Sequence, residues 1–169
     1  DAHCFALAEA VAGVGRGYNA VFGMTLGTGI GGGLVMSGEI DRGATNTVGE
    51  IGHIYIGGES VCSCGKRGHV EARAGGHKMM EQYYRLTGKK LVELDLERLY
   101  QQDDKNARAI VHDAAFALAA AISNTLVLMN PDCVILGGGI SRFHELVALT
   151  KKQVPALLPF PSLKKTPIL

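Results

Sequence analysis

Two cysteines one residue apart, Cys62 and Cys64, open the segment CSCGKRGHVE at residues 62–71, which goes on to His69 and Glu71. A further imidazole, His53, stands in GEIGHI at residues 49–54, so that the four make an H-x8-C-x-C-x4-H pattern. Two thiolates and two imidazoles fill the tetrahedron of a structural Zn2+ at zero net charge. Gly65 and Gly68 supply the sharp turns that so short a chelate requires. The alternative is a glycine-rich surface turn with unrelated histidines. A redox pair ranks behind both, because that chemistry prefers two residues between the cysteines and a bridge across one residue is strained.

If a metal draws His53 onto the cysteine turn, Glu50 and Glu71 approach each other. Two carboxylates beside an imidazole suit a polyhydroxylated ligand, since each carboxylate accepts from two neighbouring hydroxyls. His53 can serve both tasks: a metal on one ring nitrogen fixes the tautomer and leaves the other N–H to donate. Taken singly, each glutamate reads as an exposed charge.

Two glycine clusters stand apart from this group. In GTGIGGG, residues 27–33, Gly27, Gly29 and Gly32 satisfy G-x-G-x-x-G, but a dinucleotide fingerprint should open a helix and this one leads into LVMSGEI, a strand and hairpin. A strand, a glycine turn and a strand can aim consecutive backbone N–H groups at a phosphate, with Thr28 adding a hydroxyl. The alternative is a tight hairpin; five glycines in seven residues exceed what a hairpin needs and favour phosphate. Gly137, Gly138 and Gly139 precede a helix whose N-terminus could receive a nucleotide, or else form a plain strand-to-helix turn.

The elements that must position these residues follow from periodicity. Residues 2–14 read as a helix ended by glycines, 18–26 as a buried strand, 27–33 as a turn, and the following strand as entering a hairpin at Ser37-Gly38. Residues 41–68 are loop-rich; a helix starts near His69 and runs on through Gly75 and Gly76 to HKMMEQYYRL. A polar connector leads to a long helix over 106–130 closed by Pro131, then a short strand, and a last helix from SRFHELV with Ser141 as its cap and Glu145 nearby. Alternating strands, turns and helices give an α/β class with a hairpin-containing sheet.

At 169 residues and a net charge of +1, with the cations dispersed, the composition gives one soluble domain and points to neither nucleic acid nor an anionic membrane. The longest apolar stretch, 114–122, is interrupted by SNT, which argues against a transmembrane helix, and no secretion signal opens the chain. Cys4 and Cys133 sit among apolar neighbours as small hydrophobes, which fits a reducing, cytoplasmic setting. Because the first residue is an aspartate already inside a helical pattern, the sequence reads as a fragment.

Together the segments DAHCFALAEA, LGTGIGGGLVMSG, GEIGHI, CSCGKRGHVE and PDCVILGGGIS, in that order from residue 1 to about 141, resemble the C-terminal lobe of the ROK family of bacterial sugar kinases and sugar-responsive repressors. The resemblance implies an actin- and hexokinase-like (ribonuclease H-like) ATPase lobe over residues 1–169, with a mixed sheet, flanking helices and a zinc-binding loop. It implies Asp1 as catalytic base; Glu50, His53 and Glu71 as sugar ligands; Gly27, Thr28 and Gly29 on phosphate; Gly137, Gly138 and Gly139 on the nucleoside side; and His53, Cys62 and Cys64 on zinc. His69 stands where the family usually has cysteine, and His3 where asparagine is common.

The activity implied is transfer of a phosphoryl group from ATP with Mg2+ to the 6-hydroxyl of a hexose or N-acetylhexosamine, in a cytoplasmic homodimer of the intact parent. The lobe alone is expected to be inactive and to touch neither membrane nor nucleic acid. The competing implication is a repressor whose DNA-binding segment lies upstream; retention of Asp1 tilts toward the kinase, since a sensor needs the sugar contact but not the base.

Overall fold

The computed structural model describes residues 1–92 and 95–169. A four-stranded mixed sheet is built from β1 (Ala20–Leu26), β2 (Ile30–Met36), β3 (Glu39–Asp41) and β4 (Cys133–Gly137) in the order β3-β2-β1-β4. The β1–β2 and β2–β3 pairs are antiparallel and β1–β4 is parallel. The hairpin turns at Ser37 and Gly38, both at positive φ (53° and 80°), the twist-matched conformation of a two-residue connection.

Both faces of the sheet are covered, so its strands read as continuous apolar runs instead of alternating ones. Val21, Val35, Cys133 and Ile135 face Ala6 of α1 (Ala2–Ala12). Phe22, Met24, Leu26, Leu34 and Val134 face the main core. That core also takes residues from α2 (Val70–Ala74), α3 (Gly76–Thr87), α4 (Asp95–Gln101), α5 (Lys105–Met129) and α6 (His144–Leu157).

The turn expected over 27–33 is shorter than its glycines suggest, because Gly31, Gly32 and Gly33 lie inside β2. They serve close approach: a Cβ on Gly31 would sit 2.9 Å from Ala2 Cβ, one on Gly33 3.1 Å from Ala6 Cβ, and one on Gly32 2.7 Å from the Gly49 carbonyl. The excess of glycine therefore seats α1 and the 48–50 loop on the sheet, and only Gly27 and Gly29 remain in the turn.

Other expectations shift for local reasons. The helix from His69 does not continue through the glycines: Gly75 is extended (ψ 137°), which separates α2 from α3. Ser141 does not cap α6; it lies in a 3-10 turn, Ile140–Arg142, its hydroxyl donates to the Gly138 carbonyl, and α6 begins at His144. The nucleotide-facing helix N-terminus expected directly after Gly139 is thus displaced by one 3-10 turn. The polar connector contains α4.

The long helix runs through SNT, as expected. Ser123 and Thr125 are buried in α5, the Thr125 hydroxyl donating to the Ala121 carbonyl at 3.0 Å. At 25 residues α5 is long and apolar enough by length and composition to cross a bilayer, contrary to the sequence expectation, but 67% of its most apolar window is buried inside the fold, as in a core helix. Asp104 caps it, accepting from the amides of Asn106 (3.0 Å) and Ala107 (2.9 Å). Asp104→Ala should therefore lower stability by about 1 kcal/mol, read as a lower denaturant midpoint at unchanged m-value.

Candidate functional site

The chemistry-bearing residues gather where β1 and β4 end and β2 begins. Register pairs Leu26 with Ile30 across the Gly27–Gly29 turn and Thr25 with Gly137, which sets the two glycine turns side by side. Gly138 has φ +94°, and a Cβ there would lie 2.4 Å from the Leu26 carbonyl, so the second turn presses on the end of β1.

The first turn is docked from behind. Gly76 and His77, at the start of α3, donate to the carbonyls of Gly27 (2.9 Å) and Thr28 (3.2 Å). The orphan amides of that helix are used in fixing the turn. Gly27 N–H donates to the Gly29 carbonyl at 3.0 Å. Asp1 begins α1 above the same edge, where the bare Gly31 meets Ala2. It is exposed, and among the described residues its carboxylate makes no capping bond, so its own helix does not consume it.

Glu50 precedes the 3-10 turn Ile51–His53 and is exposed. That turn lies on β2 through two glycines: a Cβ on Gly49 (φ +92°) would be 2.5 Å from the Gly32 carbonyl, and one on Gly52 2.2 Å from that of Ile30. A ring nitrogen of His3, Nε2, stands 2.7 Å from the Val48 carbonyl, which ties the start of α1 to this loop. Donation from Val70 N–H to the Ile54 carbonyl at 3.2 Å then joins the loop to α2, the carrier of Glu71. An Arg73–Asp113 ion pair holds α2 against α5.

His53, Cys62, Cys64 and His69 do converge: one ligand atom from each lies within 4.8 Å of all the others. Cys62 Sγ is 3.5 Å from His53 Nδ1, and Cys64 Sγ is 3.3 Å from His69 Nδ1. Edges of about 3.3–3.8 Å are those of a tetrahedron with zinc-like bond lengths, so the four residues fit a metal ion. Gly65 (φ +86°) and Gly68 (φ +73°) make the turns, and Cys62 N–H donates to the Lys66 carbonyl at 2.8 Å. Because both histidines turn Nδ1 to the thiols, His53 keeps Nε2 for another partner.

Glu71 is the buried member, 8% exposed. Its Oε2 accepts the Ile30 amide (3.2 Å), and its Oε1 accepts from Cys62 Sγ (3.4 Å). Burial works to raise its pKa, but hydrogen bonds from Ile30, Ser63 and Cys62 and the charge of His53 outweigh it and hold the carboxyl below its ordinary value. It is an ionised acceptor, not the exposed charge of the alternative reading. Burial pushes the Cys62 thiol up to about 11.

The sequence reading missed a cleft of about 530 Å³, open mouth included, beside the second glycine turn. Gly76, Met79, Met80, Gly139, Ile140 and Phe143 line much of it. These residues come from distant segments without a shared motif; of them the sequence singles out Gly139, and Gly76 is bare because a Cβ there would meet Ile140 Cδ1 at 2.5 Å.

A mixed sheet flanked by helices, with paired glycine turns at one end and a Cys/His loop beside them, defines an actin-like lobe. Within that class the chain belongs to the ROK family, whose model matches residues 1–165. It is 33% identical over 177 residues to the N-acetyl-D-glucosamine kinase of Pectobacterium carotovorum subsp. carotovorum (strain PC1), covering 98% of this chain and 58% of that relative. The ROK hexokinase of Thermus thermophilus superposes with a TM-score of 0.87 at 29% identity, over 99% of this chain and 58% of the other.

A ROK glucokinase from Streptomyces griseus, in complex with glucose and AMPPNP, gives 0.85 at 25% identity, over 99% and 60%. A ROK transcriptional regulator described as a homologue of the E. coli MLC protein shares the fold at 0.81 and 22% identity, over 99% and 46%. The chain thus spans between 46% and 60% of the length of these relatives.

Proposed function

We propose that this chain is the C-terminal lobe of a two-lobed ATP-dependent sugar kinase acting on a hexose or N-acetylhexosamine at its 6-hydroxyl. One observation carries the reading: Asp1, the Gly27–Gly29 turn, the Gly138 turn and the anchored Glu71 meet at one edge of the sheet. In this reading Glu50, Glu71 and His53 Nε2 bind sugar hydroxyls. Asp1 accepts the proton of the attacking hydroxyl. The Thr28 and Gly29 amides of the Gly27–Gly29 turn, with the Thr28 hydroxyl, bear on phosphate, and the cleft beside Gly139 receives the nucleoside.

Mg2+, arriving with ATP, supplies charge neutralisation on the phosphates. The Cys/His site is read as structural Zn2+; with four protein ligands it has no open position for water. The remaining half of the ATP site belongs to the other lobe, so the chain alone is expected to be inactive. A cytoplasmic homodimer is part of the same reading. The similarity to relatives named as kinases, at higher identity than to the regulator, favours the kinase over the repressor.

The test is ATP-dependent phosphorylation by the intact protein of N-acetylglucosamine, glucose, N-acetylmannosamine, allose and fructose, with Glu71→Gln alongside. Turnover of at least one sugar, with kcat/KM down about 10²-fold in the variant through the loss of a charged hydrogen bond, is expected. No turnover of any sugar, together with sugar-dependent operator DNA binding, would establish the repressor instead, and equal turnover in Glu71→Gln would remove Glu71 from the sugar site.

A further inference from the structure

We infer that Glu71 is also the positioning residue for the phosphate-binding turn, so that the sugar pocket and the nucleotide pocket are coupled through one carboxylate. This rests on the kinase reading above. Oε2 of Glu71 accepts the amide of Ile30, the residue that follows the turn, at 3.2 Å. Gly29 lies so close that a Cβ there would be 2.5 Å from the same oxygen. The backbone of Glu71 acts from the other side: its carbonyl accepts the Gly75 N–H at 2.9 Å, at the break that brings Gly76 and His77 onto the carbonyls of Gly27 and Thr28. The turn is thereby gripped before and after by the segment that carries the carboxylate.

The carboxylate is buried, 8% exposed, and bonded to the Ile30 amide, which leaves it little freedom to move without moving Ile30. A sugar that draws on Glu71 therefore acts on the turn, and a phosphate that sets the turn acts on Glu71. Coupling of two binding equilibria is reciprocal, so each ligand must change the affinity of the other by the same factor.

The readout that separates positioning from sugar binding is ADP affinity in the absence of sugar, measured calorimetrically on the intact protein. Glu71→Ala should weaken ADP binding about tenfold, the loss of one buried hydrogen bond to a charged acceptor. Glu71→Gln, which keeps a carbonyl to accept the Ile30 amide, should bind ADP within about twofold of wild type while still losing sugar affinity.

From the opposite side, Gly29→Ala should weaken sugar binding measured without nucleotide. Unchanged ADP affinity in Glu71→Ala, or equal losses in the Ala and Gln variants, would overturn the inference and leave the kinase reading standing. A wild-type protein that binds neither sugar nor ADP would overturn both. Thermal midpoints of all three variants, near that of wild type, exclude general unfolding as the cause.

Discussion

Asp1→Asn in the intact protein is expected to lower kcat for sugar phosphorylation by about 10²–10⁴-fold, the range that a positioned general base supplies, while the KM for sugar moves only a few-fold. The substitution is chosen to separate chemistry from fold. Asparagine is as good a residue as aspartate at a helix start, and Asp1 makes no side-chain capping bond, so α1 should begin where it does now. What changes is that the carboxylate can accept a proton and the amide cannot. α1 lies directly on the bare backbone at Gly23, Gly31 and Gly33, and His3 fastens its start to Val48. The base is therefore held by packing and does not depend on the group that is altered. Steady-state kinetics at saturating ATP give the answer; a kcat within a few-fold of wild type would take Asp1 out of the catalytic role.

How far such a site was legible depends on how local its causes are. The four candidate metal ligands fall within 17 residues, from His53 to His69, and their side-chain types alone restrict the chemistry, so the pattern could be read directly. The glycine turn after β1 was also legible as a turn, but on a premise that the structure corrects. Gly31, Gly32 and Gly33 are small because a helix and a loop press on β2, a fact of tertiary packing with no signature in a hairpin's own sequence.

The break between α2 and α3 has the same origin: a Cβ on Gly75 would lie 3.2 Å from the Thr28 carbonyl, a contact made across 47 residues of chain. The cleft beside Gly139 was illegible because apolar residues from three separate segments resemble any core until they are brought together. The strands, the long helix and the right class were available from period and length alone; the close approaches that shape the site were not.

Cys62→Ala is expected to reduce bound zinc from about one per chain to near none and to lower the thermal midpoint by several degrees, an effect on the order of 2 kcal/mol or more for a domain of this size. Cys62 is the buried ligand, 2% exposed, and its Sγ stands 3.5 Å from His53 Nδ1. Its loss removes a buried thiolate that no water can replace in charge. Since burial places the metal-free thiol at about 11, the cation must displace its proton at neutral pH. Occupancy should therefore fall as pH falls, by about tenfold in affinity per unit for each proton released.

His69→Ala provides the contrast. It pairs with the exposed Cys64, at the outer side of the site, where water can take the vacated position. Affinity should drop while the His53–Cys62–Glu71 side stays folded, so the sugar KM should rise less than it does in Cys62→Ala. Metal analysis at graded chelator concentrations separates the two variants. Undiminished zinc affinity in His69→Ala would make the site three-ligand and reopen a coordination position to water, which would in turn overturn its structural assignment.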